Sequence, residues 1–216
     1  MQRIFGPSSN TLIWVVLGGL AALVGGGLGL AYYIDRSSYR TQVDVAVEQP
    51  IPFSHKHHAW GDGIDCRYCH LGVEKSAFAG IPAVSVCMNC HAQIWSTSPT
   101  LAPVRDAFKN DAPIEWNRVH QLPQFVYFNH SIHIHKGVGC STCHGRVDQM
   151  PLVWKQKPLT MEWCLECHRN PEKFVRPREE VFNMGWQPPP NQVELGRQLV
   201  KKYNIISRTD CTTCHR

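Results

Sequence analysis

The chain opens on one long apolar run and has no second one. Thr11 to Ile34 reads TLIWVVLGGLAALVGGGLGLAYYI, 24 residues without a formal charge. As a helix rising about 1.5 Å per residue it spans roughly 36 Å, enough to cross a ~30 Å hydrocarbon layer with some tilt. Trp14 stands near one end and Tyr32-Tyr33 at the other, where aromatic rings favour the membrane–water boundary. The run is too long for the apolar core of a cleaved signal, and no small-residue cleavage site precedes Asp35. Residues 1–40 are therefore expected to form an uncleaved N-terminal anchor. Gly18, Gly19, Gly25, Gly26, Gly27 and Gly29 weaken an isolated helix but permit close packing against other membrane helices.

Beyond the span the periodicity fades. Residues 42–52 form a polar linker ending in Pro50-Ile51-Pro52, which favours extended backbone. Proline-rich connections follow at Pro99, Pro103, Pro113 and Pro123, and again at Pro188-Pro189-Pro190. Near the end Asn191 is placed as a helix N-cap. Val193, Leu195, Leu199, Val200 and Tyr203 then share a helical face, with Lys201-Lys202 in the last turn. Strand signals are sparse. The expected fold is mostly irregular with short α-helices, in a second part running over 41–216.

The chemistry lies in a pentapeptide that occurs five times. Its copies are Cys66-Arg-Tyr-Cys69-His70, Cys87-Met-Asn-Cys90-His91, Cys140-Ser-Thr-Cys143-His144, Cys164-Leu-Glu-Cys167-His168 and Cys211-Thr-Thr-Cys214-His215. The pattern C-x-x-C-H is the attachment site of a c-type haem. Two thiols about one turn apart reach the two vinyl groups of one porphyrin, and the next histidine becomes the proximal ligand of its iron. Five covalent haems c are expected, with His70, His91, His144, His168 and His215 proximal. The motifs use all ten cysteines. A disulfide framework does not explain a histidine after every second cysteine, and a zinc ribbon explains the thiol pairs only.

Composition adds two constraints. The formal net charge is +5, and haem propionates would lower it, so it is a weak argument for an acidic partner and none for nucleic acid. Residues 41–216 provide roughly 35 residues per haem, too few for an ordinary core around each, so the porphyrins must supply apolar surface.

The second part also contains a repeat. Phe53-x-His55-x-x-His58 precedes the Cys66 and Cys87 motifs, and Phe128-x-His130-x-x-His133 precedes those at Cys140 and Cys164. Corresponding positions are 74 to 77 residues apart. This reads as a duplicated two-haem unit, about 53–91 and 128–168, followed by a fifth haem on a C-terminal segment, 191–216. Seven histidines lie outside the motifs: His55, His57, His58, His120, His130, His133 and His135. Residues i and i+3 of a helical turn point at different places along it, so each repeated pair can serve two irons.

The arrangement resembles the multihaem class III cytochromes c. There the first histidine of the pair ligates the haem that follows and the second ligates the next. The resemblance implies His55 as distal ligand of the Cys66 haem, His58 of the Cys87 haem, His130 of the Cys140 haem and His133 of the Cys164 haem. For the Cys211 haem the family's histidine position holds Met161; Met150 is an equal candidate, and His57, His120 and His135 are alternatives. An axial methionine would raise that haem's potential.

FSHKHH before GIDCRYCH, SAFAGIP before CMNCH, RVHQLPQFVYFNHSIH, KGVGCSTCHGRV and MEWCLECHRNP make the chain similar to the pentahaem cytochrome c (ActA-type) subunits of bacterial alternative complex III. The six-haem subunit of a related quinone reductase complex shares parts of this pattern. The resemblance implies an electron-transfer subunit on the periplasmic side of the inner membrane. Its partners would be polytopic quinol-binding subunits and an iron-sulfur/molybdopterin-type protein. Its electrons would pass to a monohaem cytochrome c or a small copper protein. Two other readings differ in kind. A catalytic multihaem reductase needs an iron with an open sixth position, whereas the supply of distal ligands closes all five. A stand-alone quinol dehydrogenase with one anchor and four haems does not fit the fifth motif or the duplication.

Overall fold

The computed structural model describes residues 6 and 8–215; Arg3, the one basic residue ahead of the span, and Arg216 lie outside them. The chain divides into two compact units, one ending at Val43 and one beginning at Asp44.

In the first unit, helix α1 covers Ser8–Arg36 and α2 covers Ser38–Thr41. Helix α1 is longer than the uncharged run, because Asp35 and Arg36 extend its last turn beyond the apolar part. It is long and apolar enough to cross a membrane, and none of its residues is buried. Backbone hydrogen bonds are satisfied within the helix, which is what a lipid environment demands.

The second unit contains no strand among the described residues. Short helices and irregular segments are tied by isolated antiparallel bridges at Ala46–Trp154, Val126–His215 and Val138–Val175. Each pentapeptide lies on its own short helix: α3 (Cys66–Cys69), α4 (Val84–His91), α7 (Cys140–His144), α8 (Met161–Arg169) and α10 (Cys211–Cys214). Three of these have side-chain caps. The Asp65 carboxylate accepts from Arg67 N, Asp210 from Thr213 N and the Thr160 hydroxyl from Trp163 N. Such a cap satisfies one of the donors that a helix start leaves open. It also fixes the turn on which the two thiols of the motif stand.

Two differences from the sequence reading have simple causes. The proline-rich connection after the first repeat contains helix α5, Ala102–Lys109, because Pro103 falls in its first turn, where a missing N–H costs nothing. Helix α9, Gln192–Lys202, starts after Asn191 as expected, but the Asn191 side chain makes no cap bond. Instead the Gln192 amide donates to Glu172 O and Val175 O, which fastens the helix start to the segment after α8. Gly196 lets α9 approach that segment, since a Cβ there would strike the Glu172 carbonyl.

The apolar core consists of two small clusters. Ile51, Leu101 and Val104 gather Val84, Cys87, Met88, Ile114 and Trp116 around them. Val175, Leu199 and Tyr203 gather Val138, Leu195, Val200 and Ile205. Large apolar side chains near the motifs remain exposed, including Tyr68, Leu71, Phe78, Ile94, Trp95 and Phe125. Protein-to-protein contact therefore covers only part of the apolar surface of this unit.

Candidate haem-ligation sites

In each repeat one phenylalanine organises two imidazoles. Phe53 meets His55 edge-on (ring centres 4.9 Å apart, 88°) and stacks on His58 (4.4 Å, 22°). Phe128 does the same to His130 (4.8 Å, 89°) and His133 (4.4 Å, 27°). The second pair lies on helix α6, His130–His135, capped by the Asn129 side chain. The first pair lies on a wider π-type turn, Lys56–Gly61, with His55 at its cap position. The ring geometry is the same although the turns differ. The two phenylalanines were visible in the repeat; nothing in the sequence assigned them this role.

Each of these imidazoles faces a motif histidine. His55 lies opposite His70 (6.4 Å, rings 4° from parallel) and His130 opposite His144 (6.4 Å, 10°). His58 lies opposite His91 (6.1 Å, 71°) and His133 opposite His168 (6.2 Å, 70°). A metal–imidazole bond of about 2.0–2.1 Å, plus about 1.1 Å from nitrogen to ring centre, separates two rings on opposite sides of one metal by about 6.3 Å. All four pairs match that spacing. They also alternate along the chain, near-parallel at the first motif of each unit and near-perpendicular at the second.

The ring nitrogens are arranged for ligation. Nδ1–H of His58 donates to Ser54 O (2.9 Å), of His70 to Gly80 O (2.7 Å) and of His91 to Ile94 O (3.0 Å). In the second unit His130 donates to Ala77 O (2.9 Å) and His133 to Asn129 O (2.7 Å); His215 donates to Phe125 O (3.2 Å). A ligating histidine fixed through its Nδ1–H presents the Nε2 lone pair to the metal. His55 Nδ1 is buried without a protein partner. Burial holds the His55 imidazolium pKa down at about 4 and that of His144 at about 3, with neighbouring histidines adding to both. Burial also lowers His133. Neutral imidazole is the form a metal binds.

None of the ten cysteines is paired in a disulfide. Burial pushes the Cys140 and Cys143 thiols up to about 12. Among the described residues no three of His, Cys, Asp or Glu converge on one metal position. Paired Cys-x-x-Cys turns with an imidazole couple beside them instead fit a covalently held iron porphyrin.

The remaining candidates are distributed differently. Met150 is 1% exposed and bound through its backbone to Val147 and Lys56, beside the first unit's distal turn. Met161 is 66% exposed at the start of α8, one turn before Cys164. The Ser207 hydroxyl bonds the carbonyl of His168, which brings the segment leading to the fifth motif to the end of α8. What packs on the His215 ring is Phe125, at 5.7 Å. His120 is buried against His144 (4.3 Å), with Nε2 lacking a protein partner and a pKa held at about 4 by burial. His57 stacks on Trp95 (5.8 Å) and faces Asp62 at 3.5 Å. His135 is exposed, its Nδ1 bound to Ser131 O (2.7 Å).

One polar group escaped the sequence reading. Arg176 is buried beside the Cys140 turn. Its guanidinium donates to Ser141 Oγ (3.2 Å), Thr142 Oγ1 (3.0 Å) and Asn183 O (3.3 Å), and lies over Trp186 at 4.4 Å. It thereby clamps the Cys140 turn to the residues after Arg176.

Comparison with known proteins agrees with this geometry. Residues 126–216 match the family of cytochrome c7 and related cytochrome c. The chain is 31% identical over 144 residues to the menaquinone reductase multihaem cytochrome c subunit of Nitratidesulfovibrio vulgaris (strain Hildenborough), covering 57% of this chain and 69% of that one. The chain belongs to the multihaem cytochromes c. Covalent haem c is the cofactor of that family.

Proposed function

We propose that this chain is the pentahaem electron-transfer subunit of a membrane-bound, menaquinone-linked oxidoreductase of the alternative complex III type. The observation that carries this reading is the set of four imidazole pairs, each spaced for one iron and each beside its own Cys-x-x-Cys turn. Five haems c would be held by the five cysteine pairs. His70, His91, His144, His168 and His215 are the proximal ligands and His55, His58, His130 and His133 the distal ones. Met161 is the preferred sixth ligand of the Cys211 haem, because it stands exposed on α8, whose end meets the segment leading to the fifth motif.

When bound, the haems supply one-electron redox chemistry. The residues of this chain do the rest. The paired imidazoles would hold each iron between two histidines, which would disfavour binding of an outside ligand and favour electron transfer. Backbone carbonyls at Ser54, Ala77, Gly80, Ile94 and Asn129 hold the rings in one tautomer. Phe53 and Phe128 fix the ring planes.

Residues 1–40 would anchor the chain and 41–216 would form the periplasmic haem domain, since covalent haem attachment belongs to that side. The span contains no ionisable group except Tyr32 and Tyr33 at its end. Proton-handling groups normally mark a quinol site, so that chemistry falls to polytopic partner subunits, with an iron-sulfur/molybdopterin-type protein alongside. Electrons would leave to a monohaem cytochrome c or a small copper protein. The similarity to a menaquinone reductase subunit favours one second reading, in which periplasmic electrons run the other way, toward the quinone.

The test is to purify the chain both alone and with its membrane partners. The chain alone, mixed with a menaquinol analogue, should show no inhibitor-sensitive haem reduction, whereas the complex should. Rapid inhibitor-sensitive reduction of the chain alone would give it its own quinol site and overturn the assignment to partners. Haem reduction in the complex by reduced periplasmic cytochrome, followed by quinone reduction, would favour the reverse direction.

A further inference from the structure

From the contacts between motifs we infer that the five haem sites form one unbranched line, in the order Cys87, Cys66, Cys140, Cys164, Cys211. The order differs from that along the chain. The two units meet head to head through their first haems, which leaves the Cys87 and Cys211 haems as the two ends. This deepens the electron-transfer reading and rests on it.

Four junctions define the line. The central one, between Cys66 and Cys140, is the most fully described. A single loop, Ser76–Gly80, provides the carbonyls that orient one ring from each unit: Gly80 O takes the His70 Nδ1–H and Ala77 O takes the His130 Nδ1–H. The same loop accepts backbone bonds from His130 N at Ala77 O and from Ser131 N at Ser76 O, both 3.2 Å. On another side Lys56 N donates to Met150 O (3.1 Å), joining the first unit's distal turn to the segment after Cys140. Arg67, inside the first motif, lies over Phe182 at 4.5 Å, and Cys140 N donates to the neighbouring Val181 O.

Within each unit the junction is the shared phenylalanine. Phe53 touches the distal ligands proposed for the Cys66 and Cys87 haems, and Phe128 those for the Cys140 and Cys164 haems. Asn89 Nδ2 donates to Tyr68 Oη (3.0 Å), linking the Cys87 and Cys66 motifs directly. The fourth junction joins the second unit to the C-terminal segment: Tyr127 N donates to Cys214 O (2.8 Å), and the Ser207 hydroxyl bonds the carbonyl of His168. At the far end the Cys87 motif packs into the cluster of Ile51, Leu101 and Val104, residues that flank the first repeat in the sequence.

The consequence is directional. An electron entering at either end must cross the Cys66–Cys140 junction, so the loop Ser76–Gly80 spans the one step through which all current passes. A partner that delivers electrons and one that removes them would dock at opposite ends, near Cys87 and near Cys211.

The experiment is proton NMR of the intact, haem-loaded chain in detergent, fully reduced so that low-spin ferrous iron is diamagnetic. Haems are assigned through selectively labelled cysteine and histidine. The expected result is dipolar contact between the Cys66 and Cys140 haems, and none between the Cys87 haem and those of Cys140, Cys164 or Cys211. Contact between the Cys87 haem and any of those three overturns the order, as does absence of contact between the Cys66 and Cys140 haems. The functional reading fails separately: a chain with these contacts that exchanges no electrons with a quinone-linked complex keeps its order and loses its assigned role.

Discussion

Replacing Phe128 by alanine isolates what the phenylalanine of the repeat contributes. The ring touches two imidazoles, edge-on to His130 and stacked on His133. Each such ring contact is worth about 0.5–1.5 kcal/mol beyond burial, so the two together contribute about 2 kcal/mol. The Nδ1 anchors at Ala77 and Asn129 remain, so both imidazoles keep their tautomer and ligation survives. What is lost is the restraint on the ring planes. In low-temperature EPR of the oxidised protein, the Cys140 and Cys164 signals should broaden together while those of Cys66 and Cys87 stay sharp. The weakened distal ligands should also open more often, and about 2 kcal/mol corresponds to an increase of up to about 30-fold in cyanide uptake at those two haems. Phe128→Tyr, which keeps the ring, should restore both readouts; Phe128→Leu should restore neither fully. Unchanged linewidths and cyanide rates in Phe128→Ala, or a change confined to one haem, would refute the two-ligand role.

Three further outcomes are expected. His58→Ala should abolish the low-spin signature of the Cys87 haem and spare the Cys66 haem, because His58 faces His91 at 6.1 Å while His55 faces His70; loss at the Cys66 haem alone would reverse the assignment. Met161→Leu should change the ligation or potential of the Cys211 haem, whereas Met150→Leu should cost stability without moving any potential, since Met150 is buried beside the first unit; redox titration of both variants decides. Acid should destabilise the haem domain: burial holds His120 near 4 when folded against about 6.5 when unfolded, so its contribution to stability is fully present above about 6.5 and falls as pH drops toward 4, by roughly 3 kcal/mol. Unfolding followed between pH 7 and 4 that shows no such loss would contradict the burial of this ring.

The sequence was most informative where chemistry demands fixed spacing. Cys-x-x-Cys-His placed five short helices correctly, because the two thiols and the histidine must share one turn. The Phe-x-His-x-x-His repeat singled out the four histidines that face motif histidines in the structure, for the same reason. Helix α5 was hidden, since Pro103, a residue that usually breaks a helix, sits in its first turn. Lateral contacts were hidden as well. Nothing local in Ser76–Gly80 announces that its carbonyls serve both the nearby His70 and, 53 residues beyond Ala77, His130, or that it joins the two repeats. Arg176 reads as a surface residue until the fold brings Ser141, Thr142 and Trp186 around it. His120 could be counted as a spare ligand but not placed, because only the tertiary fold sets it against His144 rather than near His215.

The most direct test of the central claim is quantitative EPR at cryogenic temperature on the oxidised, haem-loaded chain, with spins integrated against covalent haem. The account requires five low-spin irons and none high-spin. Two should give well-resolved rhombic signals, from the near-parallel pairs His55–His70 and His130–His144. Two should give strongly anisotropic low-field signals, from the near-perpendicular pairs His58–His91 and His133–His168. A high-spin iron, or four or fewer low-spin irons, would contradict it.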